Sequence, residues 1–204
     1  MSDVHSSAAL PVVPFIDQPV QPGTKQLLDE LGPKKFAQWM VDQIGDVVDV
    51  GSGDGVVAEL VAPLAKSITC IDASPRVVEA ARKRLAGIRN VQVLEGDMHA
   101  TGLPAARYDL VLMMHALPYS EKPAVAVAEA ARLLRKGGRL LACTLARHAH
   151  RGAVEAFDHR NLGFTVPELK SLATRAGLEV QRCMLATREQ RPPLGVQGHR
   201  SPAK

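Results

Sequence analysis

Between Asp46 and Leu145 short apolar runs alternate with helical stretches, and no other feature narrows the possible folds as far. Val47–Val50, Ser67–Ile71, Asn90–Leu94, Tyr108–Met114 and Arg139–Leu145 read as strands, most of them too apolar to have a wet face. Gly55–Ala65, Ser74–Leu85 and Ser120–Arg135 read as helices between them. Ser74 and Pro75 offer an N-cap and a proline at the first helical position. Gly137-Gly138 stops the third helix. Strands joined by helical crossovers pair in parallel and need helices on both faces. The pattern predicts an α/β protein built on one doubly wound, mostly parallel sheet.

The flanks are less regular. Residues 1–23 carry Pro11, Pro14, Pro19 and Pro22 without helical period and read as an extended arm. Thr24–Leu31 and Pro33–Ile44 read as short helices, the second placing Phe36, Met40 and Val41 on one face. Beyond the fifth strand, Thr165 and Glu168 form a capping box, Gly177 ends that helix, and Leu178–Leu185 reads as a further strand. The expected organisation is an arm over 1–23, one domain over 24–188 and a basic tail over 189–204 that holds at most a short last strand.

A length of 204 residues suits one domain with a buried core. Only 3% of the residues are aromatic, so that core must be mostly Val, Leu, Ala and Ile. No run of about 18 apolar residues marks a membrane span, and the start of the chain lacks a basic, apolar leader. These features predict a cytoplasmic protein with no membrane association. Cys70, Cys143 and Cys183 show no metal-ligand spacing and read as core or near-core thiols. The net charge of +4 resides in the stretch from Arg182 to Lys204, where Arg182, Arg188, Arg191, Arg200 and Lys204 face one acid, Glu189. That tail lacks interleaved aromatics, and no nucleic-acid partner is expected.

In a doubly wound sheet ligands bind beyond the carboxyl ends of the strands, where strand order reverses. The first such loop is Asp49-Val50-Gly51-Ser52-Gly53-Asp54-Gly55, with three glycines at alternate positions. Glycine lets backbone turn sharply and approach a ligand closely. A dinucleotide fingerprint requires glycine at position 56, which is Val56. The spacing argues against a pyrophosphate and for a compact adenosyl ligand. Asp72 closes the second strand, where a carboxylate can accept from both ribose hydroxyls. Asp97 follows the third strand, placed to accept from an adenine amino group, and Met98 can lie against the ring.

The run Val47–Gly55, then Ile71-Asp72-Ala73-Ser74-Pro75, then Glu95-Gly96-Asp97, then Leu133-Leu134-Arg135-Lys136-Gly137-Gly138-Arg139-Leu140 resembles the class I S-adenosylmethionine-dependent methyltransferases, and most closely their small-molecule branch. The resemblance implies a seven-stranded Rossmann-like sheet ending in an antiparallel hairpin, with S-adenosyl-L-methionine as cofactor. It implies that Asp49 and the loop Gly51, Ser52, Gly53 and Gly55 hold the methionine end. By the same resemblance Asp72 holds the ribose, Ala73 and Met98 flank the adenine, and Asp97 meets its amino group. Asp158-His159-Arg160-Asn161-Leu162-Gly163-Phe164, followed by Pro167-Glu168-Leu169, is similar to methyltransferase domains fused behind ArsR-type regulators, here without a winged-helix pattern in front.

Residues after the fourth strand should face the reacting methyl: Met114, His115, Leu117 and Tyr119. Met114 stands where related enzymes often have a polar residue. His115 has a near-neutral intrinsic pKa and suits a general base, or it packs at the strand end. Tyr119 suits a donor to the acceptor, or a half-buried loop ring. His148, His150 and His159 lie in the connection that roofs such pockets, without a metal-binding helix motif, and no metal is expected. Two functions follow: methyl transfer to a small-molecule acceptor by a monomer or homodimer, or a cofactor-binding regulatory or partner protein with little catalysis.

Overall fold

The computed structural model describes residues 44–149 and 151–184. Five strands, β1 (Asp46–Val50), β2 (Ser67–Asp72), β3 (Val91–Glu95), β4 (Tyr108–Met114) and β5 (Leu134–Cys143), form one sheet. Its order is β3-β2-β1-β4-β5, with every neighbouring pair parallel. The chain steps outward from β1 through β2 to β3, then crosses back to place β4 on the other side of β1. Strand order therefore reverses between β1 and β4.

The covering helices are α1 (Val56–Val61), α2 (Pro75–Leu85), α3 (Pro123–Leu133), α4 (Arg151–Ala156) and α5 (Val166–Arg175), with 3₁₀ turns at Ala62–Leu64 and Leu117–Tyr119. The period of two along the strands divides the core. Val48, Val50, Val111 and Met113 pack with Leu133 of α3 on one face. Val47, Ile68, Cys70, Leu110 and Leu112 pack with Ala58 of α1 and with Ala81 and Leu85 of α2 on the other. Every residue of β1 is buried, and each large apolar side chain so placed contributes about 1.5–3 kcal/mol.

The amino edge of the sheet is held by paired acids. Asp46 accepts from Ser67 Oγ at 2.7 Å and lies 3.5 Å from both Lys66 and Arg107. The Ser67 bond foremost, and then the two cations, hold its carboxyl below the usual range despite burial. Asp109 accepts from the Asp46 amide at 2.7 Å and pairs with Arg135.

Several expectations are revised. The fifth strand begins at Leu134, ahead of Gly137-Gly138, because residues past Tyr108↔Leu134 bulge out before pairing resumes at Leu110↔Arg139. α3 accordingly starts at Pro123, after a 3₁₀ turn, and ends at Leu133. Leu178–Met184 carries no strand, so the described sheet has five strands. The short last strand of the expected hairpin, the arm over 1–23, most of the helix expected over Pro33–Ile44, His150 and the basic tail lie outside the described residues. Ser74 occupies an N-cap position, yet its side chain makes no cap bond. Part of the His-rich connection is helical, as α4. The capping box of Thr165 and Glu168 forms as expected. Cys70 is buried, whereas Cys143 is exposed on β5 and Cys183 lies outside any strand. Among the described residues, no helix is long and apolar enough to cross a membrane.

Candidate functional site

At the carboxyl edge the acids behave differently. Asp49 is fully buried and neither carboxylate oxygen has a hydrogen-bond partner. Burial first, and the nearby Asp72 charge second, push its carboxyl up to about 7. A native fold seldom strands a buried carboxylate, because the desolvation cost is then uncompensated. Ser52 Oγ, one loop further, is also buried without a partner.

The loop after β1 folds back over β2. Gly51 and Ser52 donate backbone N–H groups to Ile71 O at 2.8 and 3.0 Å, and Gly53 donates to Asp72 Oδ2 at 3.0 Å. Asp72 Oδ1 accepts from the Ser74 amide at 3.0 Å. Asp72 thus spends one acceptor site per oxygen on backbone and keeps further lone pairs for a ligand. Gly51 has φ 72° and touches the turn after β4: a Cβ there would stand 2.5 Å from that of Ala116. Gly53 has φ 58°, and a Cβ there would meet nothing within 4 Å. The loop is therefore tight against protein at its first glycine and open at its second. α1 is only six residues long, so the backbone N–H groups of the loop matter more than a helix dipole.

The remaining expected residues converge on the same edge. Ala73 is exposed just past β2. Asp97 follows β3, and Gly96 N donates to Asp72 O at 3.0 Å, tying the two strand ends. Met98 packs partly buried beside Gly51, and Met114 at the end of β4 packs on the α1–α2 side.

His115 adopts φ 63°, unusual for a residue with a Cβ. Its N–H donates to Cys143 O at 2.7 Å, which fixes the strand end and turns the ring out of the sheet. Tyr119 sits edge-on with ring centroids 6.2 Å away, and His159 with centroids 5.6 Å away. His159 and Tyr119 are closer still, at 4.9 Å, and Phe157 stacks on His159 at 5.8 Å. Burial first, and His159 second, hold the His115 pKa below 6.5. His159 is itself buried, with Nδ1 unpartnered.

The loop 158–163 is bolted to the turn after β4. Arg160 N donates to Pro118 O at 2.7 Å, and Asn161 Nδ2 reaches the carbonyls of Leu117, Pro118 and Ser120 at 2.9, 3.3 and 3.3 Å. A cleft of about 360 Å³ lies beside this loop, lined by Arg147, Val154, Glu155, Arg160, Asn161 and Leu162. Its cations are committed, Arg147 to Glu168 and Arg160 to Asp158 and Glu121. His148 lies next to it, its N–H donating to Leu162 O at 3.0 Å.

Sequence reasoning grouped His115 with Tyr119 and left His159 among three roof histidines; the Asn161 clamp selects it. His99 was missed altogether, although its place two residues after Asp97 is the spacing of a local Asx contact.

S-adenosylmethionine fits this edge on the chain's own features: an unpartnered buried carboxylate for an ammonium, an open glycine loop, and two further carboxylates for hydroxyl and amino donors. Comparison with known proteins agrees. Residues 48–142 match the family model described as a methyltransferase domain. A demethylmenaquinone methyltransferase of Tropheryma whipplei is 33% identical over 129 residues, 62% of this chain and 52% of that protein. The chain thus spans about half the length of the curated relatives it matches. A SAM-dependent methyltransferase of Aquifex aeolicus shares the fold at TM-score 0.57 and 18% identity, over 83% of this chain and 88% of the other. The [4+2]-cyclase SpnF superposes at TM-score 0.58 and 25% identity, over 74% and 56%. The stretch 48–142 thus matches the methyltransferase-domain family, and the described residues share the fold of an S-adenosylmethionine-dependent methyltransferase.

Proposed function

We propose that this protein transfers the methyl group of S-adenosyl-L-methionine to a small-molecule acceptor. The unpartnered Asp49 carboxylate supports the reading most directly. Asp46 and Asp109 at the amino edge find their partners within the chain, whereas Asp49 finds none among the described residues, which suits a cationic ligand. In this reading Asp49 and the loop Gly51–Gly55 receive the methionine end, and Asp72 accepts from the ribose. Ala73 and Met98 flank the adenine, and Asp97 accepts from its amino group. When bound, the cofactor supplies an electrophilic methyl on sulfonium sulfur. On transfer the acceptor's lone pair would form the new bond to carbon as the carbon–sulfur bond breaks with its electron pair going to sulfur, and His115 would receive the acceptor's proton on a ring nitrogen. Its depressed pKa keeps that nitrogen free near neutrality. Tyr119 and the buried ring of His159 orient the acceptor and keep water from it.

The reading extends to a domain over 24–188, a seven-stranded sheet that ends in an antiparallel hairpin, and a cytoplasmic monomer or homodimer. A demethylmenaquinone methyltransferase among the relatives supports a small organic acceptor. The superposition on the [4+2]-cyclase SpnF supports a second reading, in which the fold binds cofactor without transferring methyl, since fold does not dictate reaction. Incubation with metabolite extracts and isotopically methyl-labelled cofactor separates the two. A labelled product that requires His115 supports transfer. Tight binding by calorimetry with no labelled product in any extract favours the second.

A further inference from the structure

Asp97 stands on an exposed loop, with its side chain 62% accessible. A carboxylate so placed turns freely and offers no fixed direction to a ligand. Here it is pinned. Oδ1 accepts from the His99 backbone N–H at 2.8 Å and lies 2.6 Å from His99 Nδ1. The other ring nitrogen, Nε2, lies 2.8 Å from Oγ of Ser120, which is 1% exposed. A carboxylate against Nδ1 favours the tautomer that carries hydrogen there, and Nε2 then accepts from the Ser120 hydroxyl. With both donors on Oδ1, Oδ2 meets no donor among the described residues. The loop itself is fastened a few residues on, where Glu129 accepts from Thr101 N and Oγ1 at 2.9 and 2.6 Å.

We propose that His99 is a positioning residue that clamps Asp97 as a fixed acceptor and thereby sets the nucleobase selectivity of the cofactor site. This rests on the reading that Asp97 meets the adenine amino group. An ionised carboxylate only accepts hydrogen bonds. A 6-amino purine presents N–H to Oδ2, whereas a 6-oxo purine sets oxygen lone pairs against it. The His99 bonds also keep the carboxyl ionised, holding it below the usual range. Ser120 follows Tyr119 in the chain, so the same bonds tie the adenine wall to the turn that carries an acceptor-side ring.

The test compares binding of S-adenosylhomocysteine and its deaminated analogue, S-inosylhomocysteine, by calorimetry. Wild type should prefer the adenosyl ligand about tenfold to a hundredfold, the worth of a hydrogen bond to a charged group. His99→Leu should lose most of that preference while retaining its folded circular dichroism. His99→Asn, whose amide can still donate to Asp97, should keep it. Should His99→Leu fail to fold, Ser120→Ala removes only the far anchor and should lower the preference in the same direction. Equal weakening of both ligands in His99→Leu means a merely structural role and overturns the inference, as does an unchanged preference. A wild type without preference, joined by an Asp97→Asn variant that binds both ligands normally, overturns the Asp97 reading instead.

Discussion

The ring of His159 meets that of Tyr119 almost at right angles, with centroids 4.9 Å apart and planes at 85°, and both rings stand beside His115 beyond the end of β4. This arrangement makes the proton affinity of His115 depend on a residue far along the chain. Burial and His159 both lower it, so a rate that uses His115 as base rises with pH through a midpoint below 6.5. His159→Phe keeps the ring contacts and removes the second cation-capable group. The acid limb should move upward toward 6.5 in that variant, read from the pH profile of kcat/KM.

His115→Asn should leave cofactor affinity nearly intact and lower turnover by about 10²–10⁴-fold, the usual worth of a positioned base. Asparagine tolerates the left-handed backbone found at this position, so the melting temperature should change little. Single-turnover kinetics with labelled cofactor check the rate, and calorimetry the affinity.

Asp49 is raised to about 7 by burial and by Asp72. Its neutral form is favoured in the fold, so ionising it costs stability as pH climbs from 3.8 toward 7, and the loss is complete above that. The shift corresponds to at most about 4 kcal/mol. Asp49→Asn should therefore melt higher than wild type at pH 8, with little difference at pH 4. Cofactor binding should fail in the same variant. At pH 6 the wild type should release about one proton when the cofactor's ammonium arrives, seen as a buffer dependence of the binding enthalpy.

Asp72→Ala should weaken cofactor binding by about 2–3 kcal/mol through lost charge-assisted bonds. It also frees the Gly53 and Ser74 amides that Asp72 holds at 3.0 Å. Hydrogen exchange should accordingly quicken at those amides in the ligand-free protein.

Asn161→Ala should strip donors from three carbonyls of the turn after β4 and destabilise the protein by about 1–3 kcal/mol. Turnover should fall through KM for the acceptor, with cofactor affinity preserved, because the clamp seats His159 and not the glycine loop.

The sheet was legible because burial leaves its mark on composition: Val47-Val48-Asp49-Val50 and Tyr108–Met114 are apolar on both faces, as central parallel strands must be. The strand ends followed, since Asp72 closes β2 while Gly51 and Asp97 come just after β1 and β3. The start of β5 was not legible. Leu133-Leu134 continues the apolar face of α3 without a break, and only pairing with Tyr108 turns Leu134 into a strand. Leu178–Leu185 has strand composition, but its described part, Leu178–Met184, forms no strand. The cluster of His115, Tyr119 and His159 needs a contact between residues far apart in the chain, fixed by an amide of Asn161 that reads locally as a loop residue.

The contrast between the partnered acids at one edge of the sheet and the unpartnered Asp49 at the other has a practical consequence for anyone who wants to alter this protein. Changes near Asp46, Ser67 and Asp109 act on a self-contained scaffold, so libraries built there can be sorted for heat tolerance or yield without a ligand in the assay. Changes near Asp49, Asp72 and Asp97 touch the groups proposed to receive the cofactor, and under that proposal the same sorting would reward variants that have lost it. A campaign that mixes the two edges under a stability screen alone will drift toward a sturdier protein that no longer binds.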